Sequence, residues 1–261
     1  GTAMEQLSTG KRINAAGDDA SGLAISARMT SQIRGLETSI RNANDAISMV
    51  DTAEGALDEI TEMLQRIREL AVQSGTGTTS SDDRTYIDAE FNELRSEIDR
   101  IAKNTEWNGA TVIDGTRGSA GTVTYQVGVD GGQTLSVDFG DMTASSGTMA
   151  SLNGSAVGLN GGTAASGITL AASVITITDT AIDAVSSQRA TFGATSNRLT
   201  HAVDNLSSVK TNAEASRSRI LDTDYASATS ELARTQIIQQ AGTAMLAQAN
   251  QLPQSVLSLL Q

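Results

Sequence analysis

The stretch IRGLETSIRNANDAISMVDTAEGALDEITEMLQRIRELA (residues 33–71) decides the fold. Apolar residues recur along it at spacings of three and four: Ile33, Leu36, Ile40, Ala43, Ile47, Val50, Ala53, Leu57, Ile60, Leu64, Ile67 and Ala71. That spacing puts them on one stripe of a helix. Only the step Ile47–Val50–Ala53 breaks the alternation, like a three-residue stammer in a heptad pattern. The single proline, Pro253, lies far downstream, so nothing interrupts the helix. One helix is predicted from about residue 20 to residue 73, with Asp18 or Asp19 as its N-cap. At 1.5 Å per residue it is roughly 80 Å long, a rod that few globular domains use and that favours a fibrous role.

Downstream, the Gly/Ser/Thr-rich residues 74–81 read as a turn. A second helix is predicted from about Asp82 to Lys103, with Ile87, Phe91, Leu94, Ile98 and Ile101 on one stripe. The short connection folds it back antiparallel on the first. Between residues 107 and 141 the period becomes two. Val123, Tyr125, Val127 and Val129 alternate with polar residues, then come Asp130-Gly131-Gly132, then Leu135, Val137 and Phe139. This is a β-hairpin pattern. Residues 142–178 carry no charge and are rich in Gly, Ser, Thr and Ala. Leu170 and the alternating run Val174-Ile175-Thr176-Ile177-Thr178 read as short strands, and the whole stretch as removable with little loss of core stability.

From Asp179 the helical period returns. Val185, Phe192, Leu199, Leu206, Ala213 and Ile220 stand at intervals of seven, with Val203 and Val209 widening the stripe. A heptad this regular predicts a supercoiled seam, and the first long helix is the expected partner. In the final segment there is no charge after Arg234, yet Ile237, Ile238, Met245, Leu246, Leu252, Val256, Leu257, Leu259 and Leu260 are apolar. Such a Gln-rich tail is expected to be marginal alone and ordered in an assembly. The resulting fold class is mainly α. It is a long antiparallel bundle or coiled-coil core built from both chain halves, with a β-hairpin and a small β-containing middle insertion.

Composition narrows the function. Aromatics are 3% of residues against 39% hydrophobic, which suits long helices packed side by side better than a deep enzyme core. Cysteine is absent, which removes disulfides, thiolate metal sites and thiol nucleophiles. The formal charge of −12 argues against nucleic acid as a partner. No run of 18 apolar residues suggests a membrane span. His201 is the only histidine, so zinc chemistry needing two is ruled out; it reads as a surface or inter-subunit residue. Asp82-Asp83 and Asp222-Thr223-Asp224 read as helix caps or solvated acids near helix starts. Arg66-Ile67-Arg68 and Arg217-Ser218-Arg219 read as solvated faces or subunit contacts. No catalytic, cofactor or metal site is assigned.

Four stretches closely resemble bacterial flagellin: EQLSTGKRINAAGDDASGLAISARMTSQIRGL (residues 5–36), RNANDAISMVDTAEGALDEITEMLQRIRELAVQS (41–74), EWNGATVIDG (106–115) and SRILDTDYASATSELARTQIIQQAGTAMLAQANQLPQSVLSLLQ (218–261). The resemblance implies a structural subunit of the flagellar filament. On that pattern residues 1–19 are the remnant of an N-terminal inner helix and connector, about two dozen residues having preceded it. Residues 20–115 and 181–220 are the two halves of a helical core domain. Residues 116–180 are the hairpin plus a variable outward region, and 221–261 the C-terminal tube-lining segment. The implied partners are further flagellin subunits, a flagellar export chaperone holding the C-terminal segment, and the filament cap and hook–filament junction proteins. The implied location is the extracellular flagellum, reached through the flagellar type III system. The family's motif for the mammalian Toll-like receptor for flagellin matches Arg66, Leu70 and Glu90. Arg66 and Leu70, four residues apart, share a helical face. The competing reading is a flagellin-like cell-surface adhesin or ligand receptor. Against it, the middle region shows no concentration of aromatics.

Overall fold

The computed structural model describes residues 2–144, 147–153, 157–161 and 163–258, with the side chains of the last helix described as far as residue 249. In chain order these residues form α1 (Thr2–Thr9), α2 (Ala20–Ser74), α3 (Ser81–Asn104), β1 (Glu106–Trp107), β2 (Ala110–Thr111), β3 (Thr122–Gln126) and β4 (Thr134–Asp138). A 3-10 turn (Ala150–Asn153), α4 (Ala164–Leu221) and α5 (Tyr225–Ser258) follow. The chain divides into two compact units, residues 35–207 and residues 1–34 with 208–261.

The larger unit holds the main core. Along α2 one row of buried positions runs through Leu36, Ser39, Ala43, Ala46, Val50, Ala53, Leu57, Ile60, Leu64, Ile67, Ala71 and Ser74, with Met49 and Leu70 buried beside it. From Leu36 to Ser74 the steps of that row alternate three and four. The expected stammer is therefore not there. It came from following Ile40 and Ile47, which are only half-buried, instead of the small residues Ser39 and Ala46 that carry the register. Burial, not hydrophobicity alone, defines the seam.

The facing helix keeps the same rhythm, and it begins much earlier than its sequence suggests. On α4, Gly167, Ala171, Val174, Thr178, Ala181, Val185, Phe192, Thr195 and Leu199 are buried. Val174–Thr178 is thus helix rather than strand. Its hydroxyls find acceptors within the helix: Thr176 and Thr178 donate to the carbonyls of Ala172 and Val174 at 3.1 and 2.7 Å. This back-bonding lets β-branched polar residues sit in a helix. Thr163 caps the start, its Oγ1 accepting from Ser166 N at 3.3 Å. By hydropathy and length α4 also passes for a membrane-crossing helix over one 18-residue window, but the seam side of that stretch lies in the protein core. The two long helices run antiparallel: Arg68 pairs with Asp179 at 2.6 Å and Arg189 with Glu54 at 2.7 Å, so numbers rise along one as they fall along the other. Lower down α4 the seam loosens, and Leu206 is half-buried.

Helix α3 completes a third side, burying Ile87, Phe91, Ile98 and Ala102. Its start is a capping box in which Ser80 and Asp83 satisfy each other's amides. Arg84 is the surprise: its side chain is fully buried, donating to the carbonyls of Ser74 at 3.0 Å and Thr76 at 2.9 Å. A cation at the C-terminal end of α2 complements its orphan carbonyls and dipole. Gly167 is the residue that allows it, because a Cβ there would meet Arg84 Cδ and Nε at 2.7 Å.

Strands β3 and β4 pair antiparallel with Val123 opposite Val137 and Tyr125 opposite Leu135. Asn42 donates to Gln126 O at 3.0 Å and Gln188 to Asp138 O at 2.7 Å, and Phe139 packs on Phe192 with ring centroids 5.5 Å apart. The uncharged middle then closes the core instead of lying outside it. Met142, Ala144, Met149, Leu152 and Leu159 are buried. Leu159 N donates to Asp88 at 2.6 Å and Ala144 N to Asp99 at 3.1 Å. That burial argues against the expectation that residues 142–178 are dispensable; among the described residues of this stretch there is no strand.

In the smaller unit Asp19 is the N-cap of α2, accepting from Gly22 N at 2.9 Å. Asp18 instead accepts from the amides of Asn14 and Ala15 at 3.0 and 2.9 Å. Helix α1 packs on α5.

Candidate assembly and recognition surfaces

Backbone pairing builds the α1–α5 surface. Arg12 N donates to Leu221 O at 2.7 Å, Thr223 N to Gly10 O at 3.0 Å, and the Arg12 guanidinium to Ile220 O at 2.7 Å. These bonds tie the α4–α5 junction to the chain that follows α1. Asp224 caps α5, accepting from Ala226 N at 3.0 Å; Asp222 accepts from Ser218 at 2.6 Å. An open groove of about 460 Å³ runs between Thr2, Ala3 and Gln6 on one side and Ser227, Ala228 and Glu231 on the other.

Beyond it, every residue of α5 from 233 to 249 is exposed. Ile237 is 66% exposed, Ile238 58%, Met245 70% and Leu246 67%. Ile238 and Met245, seven residues apart, are nearly in line along the helix, Ile237 and Leu246 flank them on either hand, and Gln240 and Thr243 lie on the opposite side. Leu252, Val256 and Leu257 belong to the part of α5 whose side chains lie outside the described residues, as does Leu260 altogether. Of the seam residues, Val185, Phe192 and Leu199 are buried in the larger unit, while Ile220 is half-buried in the smaller one.

On the larger unit the structure brings Arg66 and Glu90 together. The guanidinium reaches Glu90 Oε1 at 2.8 Å and Glu69 Oε2 at 3.1 Å, on side chains that are about half exposed. The hydrogen bonds to Glu90, then to Glu69, hold its pKa above the usual arginine value. Leu70 is not brought to this surface. It is 1% exposed and packed in the core, since its position falls beside Ile67 and Ala71 on the inner stripe. Direct contact of Leu70 with a partner is corrected accordingly. In Arg66-Ile67-Arg68 the central residue is core and the flanking arginines are both ion-paired. In Arg217-Ser218-Arg219, Arg217 lies 3.4 Å from Thr30 Oγ1. His201 is exposed. The burial of Arg84 is not legible in the sequence, since a lone arginine in the first turn of a helix carries no signal that its side chain will be buried.

Comparison with known proteins decides the family. Residues 1–117 match the bacterial flagellin N-terminal helical region and residues 175–260 the bacterial flagellin C-terminal helical region. The chain belongs to the bacterial flagellins. It is 45% identical to a flagellin of Halalkalibacterium halodurans over 259 residues and 44% identical to one of Bacillus subtilis over 278. Each alignment covers 99% of this chain and 91% of the relative. The crystal structure of Bacillus cereus flagellin is similar at a TM-score of 0.53 and 33% identity, covering 64% of this chain and 88% of that one. As a flagellin the chain is a structural subunit of the flagellar filament, a self-assembling extracellular polymer.

Proposed function

We propose that this flagellin polymerises through the uncovered apolar face of α5, the occupant being the terminal helices of further copies of the same chain. The observation that carries this is the exposure of Ile237, Ile238, Met245 and Leu246 on a helix with no charge after Arg234. Burying each adds about 1–2 kcal/mol, scaled by its exposure from the value for a whole side chain. Repeated along a polymer, that is enough to drive association. Until then the same face needs a cover. A helix-in-groove export chaperone provides one, and the absence of cysteine leaves a chain without cross-links to be threaded through the type III channel. The cap and hook–junction proteins take the place of neighbouring copies at the two ends of the filament.

The test is Ile238→Asp in this flagellin. Monomers of the variant, seeded with filament fragments, should elongate at least tenfold more slowly at unchanged helicity. Normal elongation rejects the reading. For the Toll-like receptor, the reading rests on the exposed Arg66–Glu90 pair, arginine being enriched at interface hot spots. Arg66→Ala should weaken receptor binding by monomers without changing helicity, and unaltered affinity would reject it.

A further inference from the structure

We propose that Met245 is an oxidation site through which hydrogen peroxide withdraws free subunits from assembly. The inference rests on α5 being the assembly face. Seven methionines stand in the chain, and their burial divides them. Met49, Met142 and Met149 are 0–2% exposed, and Met29 and Met63 are half-buried. Only Met245 (70%) and Met4 (62%) are exposed among them, both in the smaller unit, on α5 and α1. With no cysteine present, no thiol competes for the oxidant, and methionine is the readily oxidised side chain that remains.

The chemistry needs only access. The thioether sulfur attacks one peroxide oxygen, the O–O bond breaks, and the products are a sulfoxide and water. Sulfur loses two electrons, hydrogen peroxide gains them, and no other bond in the protein changes. The consequence follows from position. Met245 stands one heptad after Ile238 and beside Leu246, in the middle of a face that must shed water to pack. A sulfoxide there is a strong acceptor, and a buried polar group without a partner is costly. Once packed in a polymer, the sulfur is shielded. The modification therefore acts on subunits before incorporation and spares the finished filament.

The experiment uses monomers of this flagellin, recovered by depolymerising sheared filaments and treated with hydrogen peroxide. Peptide mass spectrometry should show one added oxygen at Met245 and Met4 while Met49, Met142 and Met149 stay reduced. Elongation on seeds is read as the ratio of oxidised to untreated rate within each protein. That ratio should be 0.1 or less for the parent, close to 1 for Met245→Leu, and restored in the parent by methionine sulfoxide reductases. Equal ratios for parent and Met245→Leu overturn the proposal, as does oxidation of Met245 no faster than of Met49. Should Met245→Leu not elongate, untreated Met245→Gln decides: it should be at least tenfold slower than the parent, and parental elongation overturns the proposal. Normal elongation by untreated Ile238→Asp would instead sink the assembly reading beneath it, so the two failures are told apart.

Discussion

Val174 and Thr176 separate a helix from a strand at the one place where sequence and structure disagree most. In a strand both side chains point to the same face; in α4 Val174 is fully buried and Thr176 is exposed. Val174→Ala deletes two carbons, about 1.6 kcal/mol of transfer free energy at about 0.8 per methylene. The cavity left between α2 and α4 brings the total to about 2–3 kcal/mol. In a cooperative unit of this size each kcal/mol shifts the midpoint by about 2–4 °C, so Tm should fall by about 5–10 °C. Thr176→Ala removes an exposed methyl and a hydroxyl bonded only to its own helix, and should stay within about 0.5 kcal/mol. Thermal unfolding followed by circular dichroism on the purified protein measures both. Equal losses at the two positions would refute the helical assignment, and a small loss at both would show that this part of α4 adds nothing to the core.

Other outcomes follow from burial, capping and charge. Leu199→Ala should cost about 2–5 kcal/mol in a urea titration, whereas half-buried Leu206→Ala should cost clearly less; the reverse order would mean the seam tightens toward residue 206. Ser80→Ala breaks the capping box and should cost about 0.5–2 kcal/mol, with hydrogen exchange accelerated first at the amide of Asp83. Acid should destabilise the fold through four carboxylates held below their ordinary values: Asp18 by the Ala15 and Asn14 amides, Asp83 by the Ser80 hydroxyl and amide, Glu97 by Arg100, and Asp114, where burial pushes the other way, by the Thr111 hydroxyl and the Thr116 amide and hydroxyl. Depressed values mean stability fully present above the unfolded pKa and lost as pH falls through the folded ones. Denaturant midpoints should accordingly be flat above about pH 5 and fall below about pH 4, and a midpoint that rises on acidification would contradict the sign.

Much of the molecule is written locally. Residues 33–71, Ile87 to Ile101 and the heptad from Val185 alternate large apolar with charged side chains, and that contrast alone names a helix and its inner face. Asp83, Asp19 and Asp224 act on amides two or three residues away, so helix starts are legible for the same reason. The hairpin is too, its alternating Val123, Tyr125 and Val137 being a strand's own period. What tertiary structure decided lies where that contrast is missing. Residues 164–178 have no charge to mark an outer face, and Gly167 and Ala171 are too small to mark an inner one. They become a seam only because α2 and Arg84 press against them. The same holds for Ser39 and Ala46, whose smallness hid the true register until a partner helix buried them. Leu70 and Arg66 share a local face, yet three-dimensional packing sends one into the core and the other to Glu90. Which neighbour occupies the space beside a side chain is a property of the whole chain, and no window of sequence contains it.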